Sequence, residues 1–199
     1  MSSKVNVSEI ISKHKSTLQG GNGKLLKLDK KFFITYPIIL GLILSFLVRI
    51  PNDGLVNIFA ICLSIFIGLF LNLLVLIISF AENKLNIKDK SNRAILLEHT
   101  FYNITYTIVA SLVGLGFLFL SNIDFFPANW KVDLNFINEK IIALKTSELT
   151  INTIAQFALY FVFYSIFIHI IMTLLMIVKR IFSLFKAEID EINKVDKKQ

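Results

Sequence analysis

Four stretches of this sequence contain no Asp, Glu, Lys or Arg: Phe32 to Val48, Leu55 to Phe80, Phe101 to Leu120 and Ile151 to Val178. A helix rises about 1.5 Å per residue, so crossing a ~30 Å hydrocarbon layer takes about 20 apolar residues. All four stretches are near that length, the first being shortest. A soluble bundle would need polar outer faces on these helices, and none is visible. With 55% hydrophobic residues and 19 Phe in 199, the chain holds more apolar surface than a globular core of that size hides. The expected fold is therefore an all-α membrane protein with four transmembrane helices, both termini inside and helical extensions into the cytoplasm.

Charge sets the expected orientation. Seventeen of the 21 basic residues precede the first stretch, separate the second from the third, or follow the fourth. Only Arg49, Lys131, Lys140 and Lys145 fall on the other side. Basic residues near helix ends are retained in the cytoplasm, which places both termini and the second loop there. The expected location is a bacterial inner (cytoplasmic) membrane, crossed several times. The net charge of +7 is then a topogenic bias that also favours anionic lipid, and direct nucleic-acid binding is not expected.

The division expected is a cytoplasmic N-terminal segment over residues 1–31, a transmembrane domain over 32–180 and an amphipathic C-terminal helix over 181–199. Within the domain, helices are expected at about 32–50, 55–80, 92–120 and 151–180, with an external loop over 121–150. The N-terminal segment contains a short helix that Ser8 would cap and whose apolar face would hold Ile10, Ile11 and Leu18. The cluster Gln19-Gly20-Gly21-Asn22-Gly23-Lys24 lacks the spacing of a phosphate loop and reads as a hinge. Pro51-Asn52-Asp53-Gly54 is short enough to make the first two membrane helices antiparallel neighbours. In the external loop, Phe125, Phe126 and Trp130 read as an aromatic anchor, and Phe136, Ile137, Ile141 and Leu144 as one face of a surface helix.

Helices in lipid associate through small residues and hydrogen bonds. Gly41 and Ser45 form such a stripe on the first membrane helix. Ala60, Ser64, Gly68 and Asn72 form one on the second, and Asn103, Thr107, Ala110 and Gly114 one on the third. Packing within the chain is the ordinary use of these stripes; subunit contacts or a pore lining are the alternatives. The fourth helix carries Gln156, Tyr160 and Tyr164 on one face and His169 and Thr173 on another, making them candidate pore or subunit contacts. His169 either titrates as a gate or bonds a carbonyl or hydroxyl structurally. Beyond the membrane, Phe182, Phe185, Ile189 and Ile192 repeat at heptad-like spacing among charges. Such a stripe is partner-binding, whether the partner is the second loop, another subunit or a cytosolic protein.

The chemistry expected is non-enzymatic. Glu98 and His99 are adjacent and diverge around a helix, no nucleophile stands beside a base, and the single cysteine, Cys62, can form no internal disulfide. No catalytic residue, cofactor or metal site is expected. No intramembrane acid or base suits a coupled transporter.

Two runs carry a resemblance. Leu96-Leu97-Glu98-His99-Thr100-Phe101-Tyr102-Asn103-Ile104-Thr105 enters the third helix, and His169 is followed by Val178-Lys179-Arg180-Ile181-Phe182 leaving the fourth. With the lysine-rich start and the four-helix layout, the chain resembles the small four-helix membrane proteins of bacterial anti-phage defence systems. That resemblance implies one of two roles. One is an oligomeric effector that permeabilises the membrane when a cytosolic sensor triggers it; the other is a membrane platform that recruits a cytosolic partner, as in Kiwa. Lipids, further copies of the chain and a cytosolic protein are the partners implied.

Overall fold

The computed structural model describes residues 6–18, 31–48, 53–83, 90–123 and 151–196. Their regular structure is entirely helical: α1 (Val7–Thr17), a π-helical turn (Lys31–Thr35) running into α2 (Tyr36–Val48), α3 (Asp53–Asn83), α4 (Lys90–Leu120) and α5 (Ile151–Asp196). The stretches Lys31–Val48, Asp53–Ser79, Ala94–Leu120 and Ile151–Lys186 are long and apolar enough to cross a membrane, with mean hydropathies of 2.1, 2.9, 1.8 and 2.5. The glycine cluster after Leu18, most of the Pro51 turn and the external-loop anchor and surface helix lie outside the described residues.

α5 is the central post. It packs antiparallel along α2 and α4, and α4 packs along α3. Its pairing with α2 runs from Phe46 against Phe157, ring centroids 5.0 Å apart, to Phe33 against His169. α3 reaches α5 through the Phe59 ring, 5.2 Å from Phe163 and 5.0 Å from Phe167. The short connection does not make α2 and α3 packed neighbours: among the described residues they make no close backbone approach along their lengths. A short turn ties two helix ends, but α5 supplies the aromatic surface that each helix buries against.

Among the described residues, two apolar clusters fill the interior. One joins Leu63 of α3, Ala110 and Leu118 of α4, and Tyr160, Phe163, Tyr164 and Ile170 of α5. The other, nearer the charged end of α5, joins Phe70 and Ile77 of α3, Ile104 of α4 and Ile177 of α5. The outward faces of α2, α3 and α4 are apolar, with Leu47, Val75 and Phe119 among the most exposed side chains. A surface of that kind is stable in hydrocarbon and would aggregate in water.

α5 continues unbroken from Ile151 to Asp196. It passes through Lys179, Arg180 and Lys186 without a conformational break, because no Gly or Pro interrupts it. α1 also differs from expectation. Asn6 sits at its N-cap, so Ser8 lies inside the helix and its hydroxyl bonds Asn6 Oδ1 at 2.7 Å. Its buried residues are His14 and Thr17; of the expected apolar face, Leu18 is buried just past the helix end, Ile10 is half-buried and Ile11 is exposed.

Candidate functional site

α1 lies antiparallel against α4, and its docking contacts are polar. Asn103 Oδ1 of α4 is 2.8 Å from both His14 Nδ1 and Thr17 Oγ1. The amide oxygen only accepts, so His14 Nδ1 carries the ring proton and Nε2 keeps a lone pair. The His14 ring stacks on Tyr106 at 3.8 Å between centroids, nearly parallel. Lys13 Nζ stands 5.4 Å over the Tyr102 ring. A peptide segment of 11 residues has little helical stability by itself, so these contacts hold α1 in place.

Arg180 of α5 closes the arrangement. Its guanidinium donates to Thr17 O at 2.9 Å and to His99 O at 3.1 Å. Thr17 ends α1, and its carbonyl is one of the last four that a helix leaves without an internal donor. Arg180 thus caps the negative end of α1 and ties it to α4 and α5 together. A planar fork of donors suits this bridge; a lysine ammonium has no comparable geometry.

His169 completes the cluster from below. Pro37 has no N–H to offer the Phe33 carbonyl one turn earlier, so that carbonyl is available to another donor. His169 Nδ1 donates to it at 2.8 Å. The His169 ring also meets Tyr106 edge-on at 5.5 Å, leaving Tyr106 between two histidines. Beside this cluster an apolar cleft of about 370 Å³ opens between α2, α4 and α5, with Ile34, Val109, Val113 and Ser165 in its walls and Val7 and Ile11 of α1 at its edge.

Burial pushes the His14 imidazole from its usual 6.5 down to about 4; the Asn103 bond opposes the shift, and His169, Arg180 and Lys15 add to it. The docked ring is therefore neutral and an undocked one takes up a proton near 6.5. Docking is at full strength above pH 6.5 and weakens as pH falls toward 4, by on the order of 3 kcal/mol over that range. Protection factors of the α1 amides, which divide out the slower intrinsic exchange at low pH, should fall at pH 5 relative to pH 7.5, and His14→Gln should flatten that dependence. Equal pH dependence in both proteins would contradict the assignment to His14.

The residues singled out by sequence are distributed unevenly. Gly41, Ser45, Asn103, Thr107, Ala110 and Gly114 are buried between helices and Ala60 is half-buried, but Ser64, Gly68 and Asn72 are exposed. Among the described residues, no atom beyond Gly68's own stretch of helix lies within 4 Å of where its Cβ would stand, and Ser64 satisfies its hydroxyl on Ala60 O within its own helix. That stripe thus faces out of the chain. On α5, Tyr160, Tyr164 and Thr173 are 2%, 1% and 0% exposed, and Gln156 is half-buried. Tyr160, Tyr164 and Thr173 are thus enclosed by the chain's own helices, and His169 is engaged with Phe33. Phe182, Phe185 and Ile189 are exposed along α5, which also carries Ile192.

His14, Thr17, Tyr106 and Arg180 are absent from the sequence-level candidates. A His and a Thr three residues apart on one face of α1 was the available signal for the first two. Arg180 gave none beyond its place at the end of an apolar run. Among the described residues no three His, Cys, Asp or Glu side chains gather as a metal site. No protein-family model, curated protein or solved structure matches this chain.

Proposed function

We propose that this chain is a non-enzymatic, homo-oligomeric protein of a bacterial inner membrane, an anti-phage defence effector. In this reading a cytoplasmic trigger frees α1 from the interlock and the bundle then permeabilises or perturbs the membrane. The supporting observation is the place of Arg180. It sits on a helix that runs unbroken from the bundle to Asp196, and it holds the end of α1 through Thr17 O. A displacement of the α5 extension is delivered to that guanidinium directly, because a continuous helix transmits it without a hinge. The defence setting rests on the resemblance of layout. In cells expressing the protein with its operon partners, dye entry and loss of membrane potential are expected on activation; an intact potential under activating conditions contradicts the reading.

A second reading, a scaffold that recruits and regulates a cytosolic defence partner without conducting, is favoured by the exposed Phe182, Phe185 and Ile189. An apolar helix face of this kind fits a groove on a partner. Deleting residues 186–199 should then release a co-purifying cytosolic protein while membrane insertion survives. Unchanged co-purification counts against it.

A further inference from the structure

α1 is placed where a polar helix should not meet lipid. Successive contacts fix its direction: Thr17 and His14 lie at Asn103, His14 at Tyr106, and Ile11 and Val7 at the cleft that Val109 and Val113 line. The apolar stretch of α4 begins at Phe101, so α1 runs from that edge toward the middle of the span. Glu9, five residues before His14, lies about 7 Å further in. The side of α1 turned away from α4 carries Ser8, Glu9, Ser12, Lys15 and Ser16, all exposed, and Lys13 stands exposed at its edge with its ammonium over Tyr102. Charged groups at such depth face protein or water.

We propose that this outward face of α1 is the contact between copies of the chain, so that α1 helices of neighbouring subunits meet around a shared hydrophilic axis. The inference rests on the homo-oligomeric reading above and adds the surface that makes the oligomer. The face is self-complementary. Glu9 on it and Lys13 at its edge lie one turn apart, and copies inserted in the same direction through one membrane set their α1 helices parallel. Glu9 of one copy then stands within reach of Lys13 of the next, and the reciprocal pair can form in a dimer or around a ring. The outward Ser64, Gly68 and Asn72 on α3 offer the competing surface, but Ser64 is already satisfied inside its own helix.

The chain's lone cysteine makes the test direct. On a Cys62→Ser background, Ser12→Cys is compared with Gly68→Cys in native membranes, using a short bis-maleimide, alongside the mass of the complex. About tenfold more cross-linked dimer from Ser12→Cys is expected. Glu9→Lys copies and Lys13→Glu copies should each cross-link poorly alone and recover when mixed, because mixing restores opposite charges across the contact. Cross-linking through Gly68→Cys instead, or labelling of Ser12→Cys by a water-soluble maleimide without cross-linking, overturns the assignment while leaving the oligomer standing. A monomeric mass overturns the oligomer as well.

Discussion

Replacing Gly41 by leucine will separate α2 from α5 and leave little folded protein to extract. A Cβ built on Gly41 would stand 2.8 Å from the Ser165 backbone nitrogen and 2.9 Å from its Cα. Backbone atoms cannot rotate aside, so the helices themselves must part. Helix pairs in lipid draw their attraction from close packing, which falls away once that approach is lost. Gly41→Ala is expected to cost about 1–3 kcal/mol, the usual range for overpacking, and leucine more. Gly68→Leu is the matched control: among the described residues no other part of the chain lies within 4 Å of that position, so the helix packing of the single chain should not be disturbed. Thermal unfolding in mild detergent followed by size exclusion separates the cases. Equal stability for Gly41→Leu and Gly68→Leu would mean that α2 does not pack on α5 as described.

Asn103→Leu is expected to release α1 while leaving the bundle folded. The amide oxygen serves two α1 groups at 2.8 Å each, and leucine offers a similar volume with no acceptor. Thr17 keeps its bond to His14 O, whereas the ring of His14 loses its polar partner and would remain buried only at about 1–3 kcal/mol. That penalty corresponds to about 10- to 100-fold faster hydrogen exchange in α1. α4 and α5 should be unaffected, since Thr107 bonds the Asn103 backbone carbonyl, not its side chain. Unchanged protection of α1 would place its anchoring elsewhere.

The membrane helices were legible because hydrocarbon imposes length and apolarity residue by residue, and four such stretches are plain in the sequence. Their neighbours were not. Gly41 and Gly68 carry the same local signal, a small residue on a stripe, yet one meets the backbone of another helix and the other meets no other helix among the described residues. Periodicity defines a face; only the order of helices around α5 decides what meets it. The short turn near Asp53 misled for the same reason.

The interlock was hidden more deeply. His14 lies 89 residues from Asn103, and Thr17 163 residues from Arg180, so no window of sequence contains both partners. Arg180 reads as one more charge marking the membrane edge, and its turn toward a helix end depends on α1 being docked there. His169 was half legible. Pro37 predicts an unclaimed carbonyl at Phe33, but not that α5 would bring a ring nitrogen to it.

In the proposed function the docked α1 keeps the membrane sealed. Liposomes of bacterial lipid loaded with a self-quenched dye and reconstituted with purified protein test it most directly. Wild type should retain the dye, and Asn103→Leu, with α1 shown by hydrogen exchange to be undocked, should leak it at matched protein density. Liposomes that stay equally tight with α1 released would contradict the account.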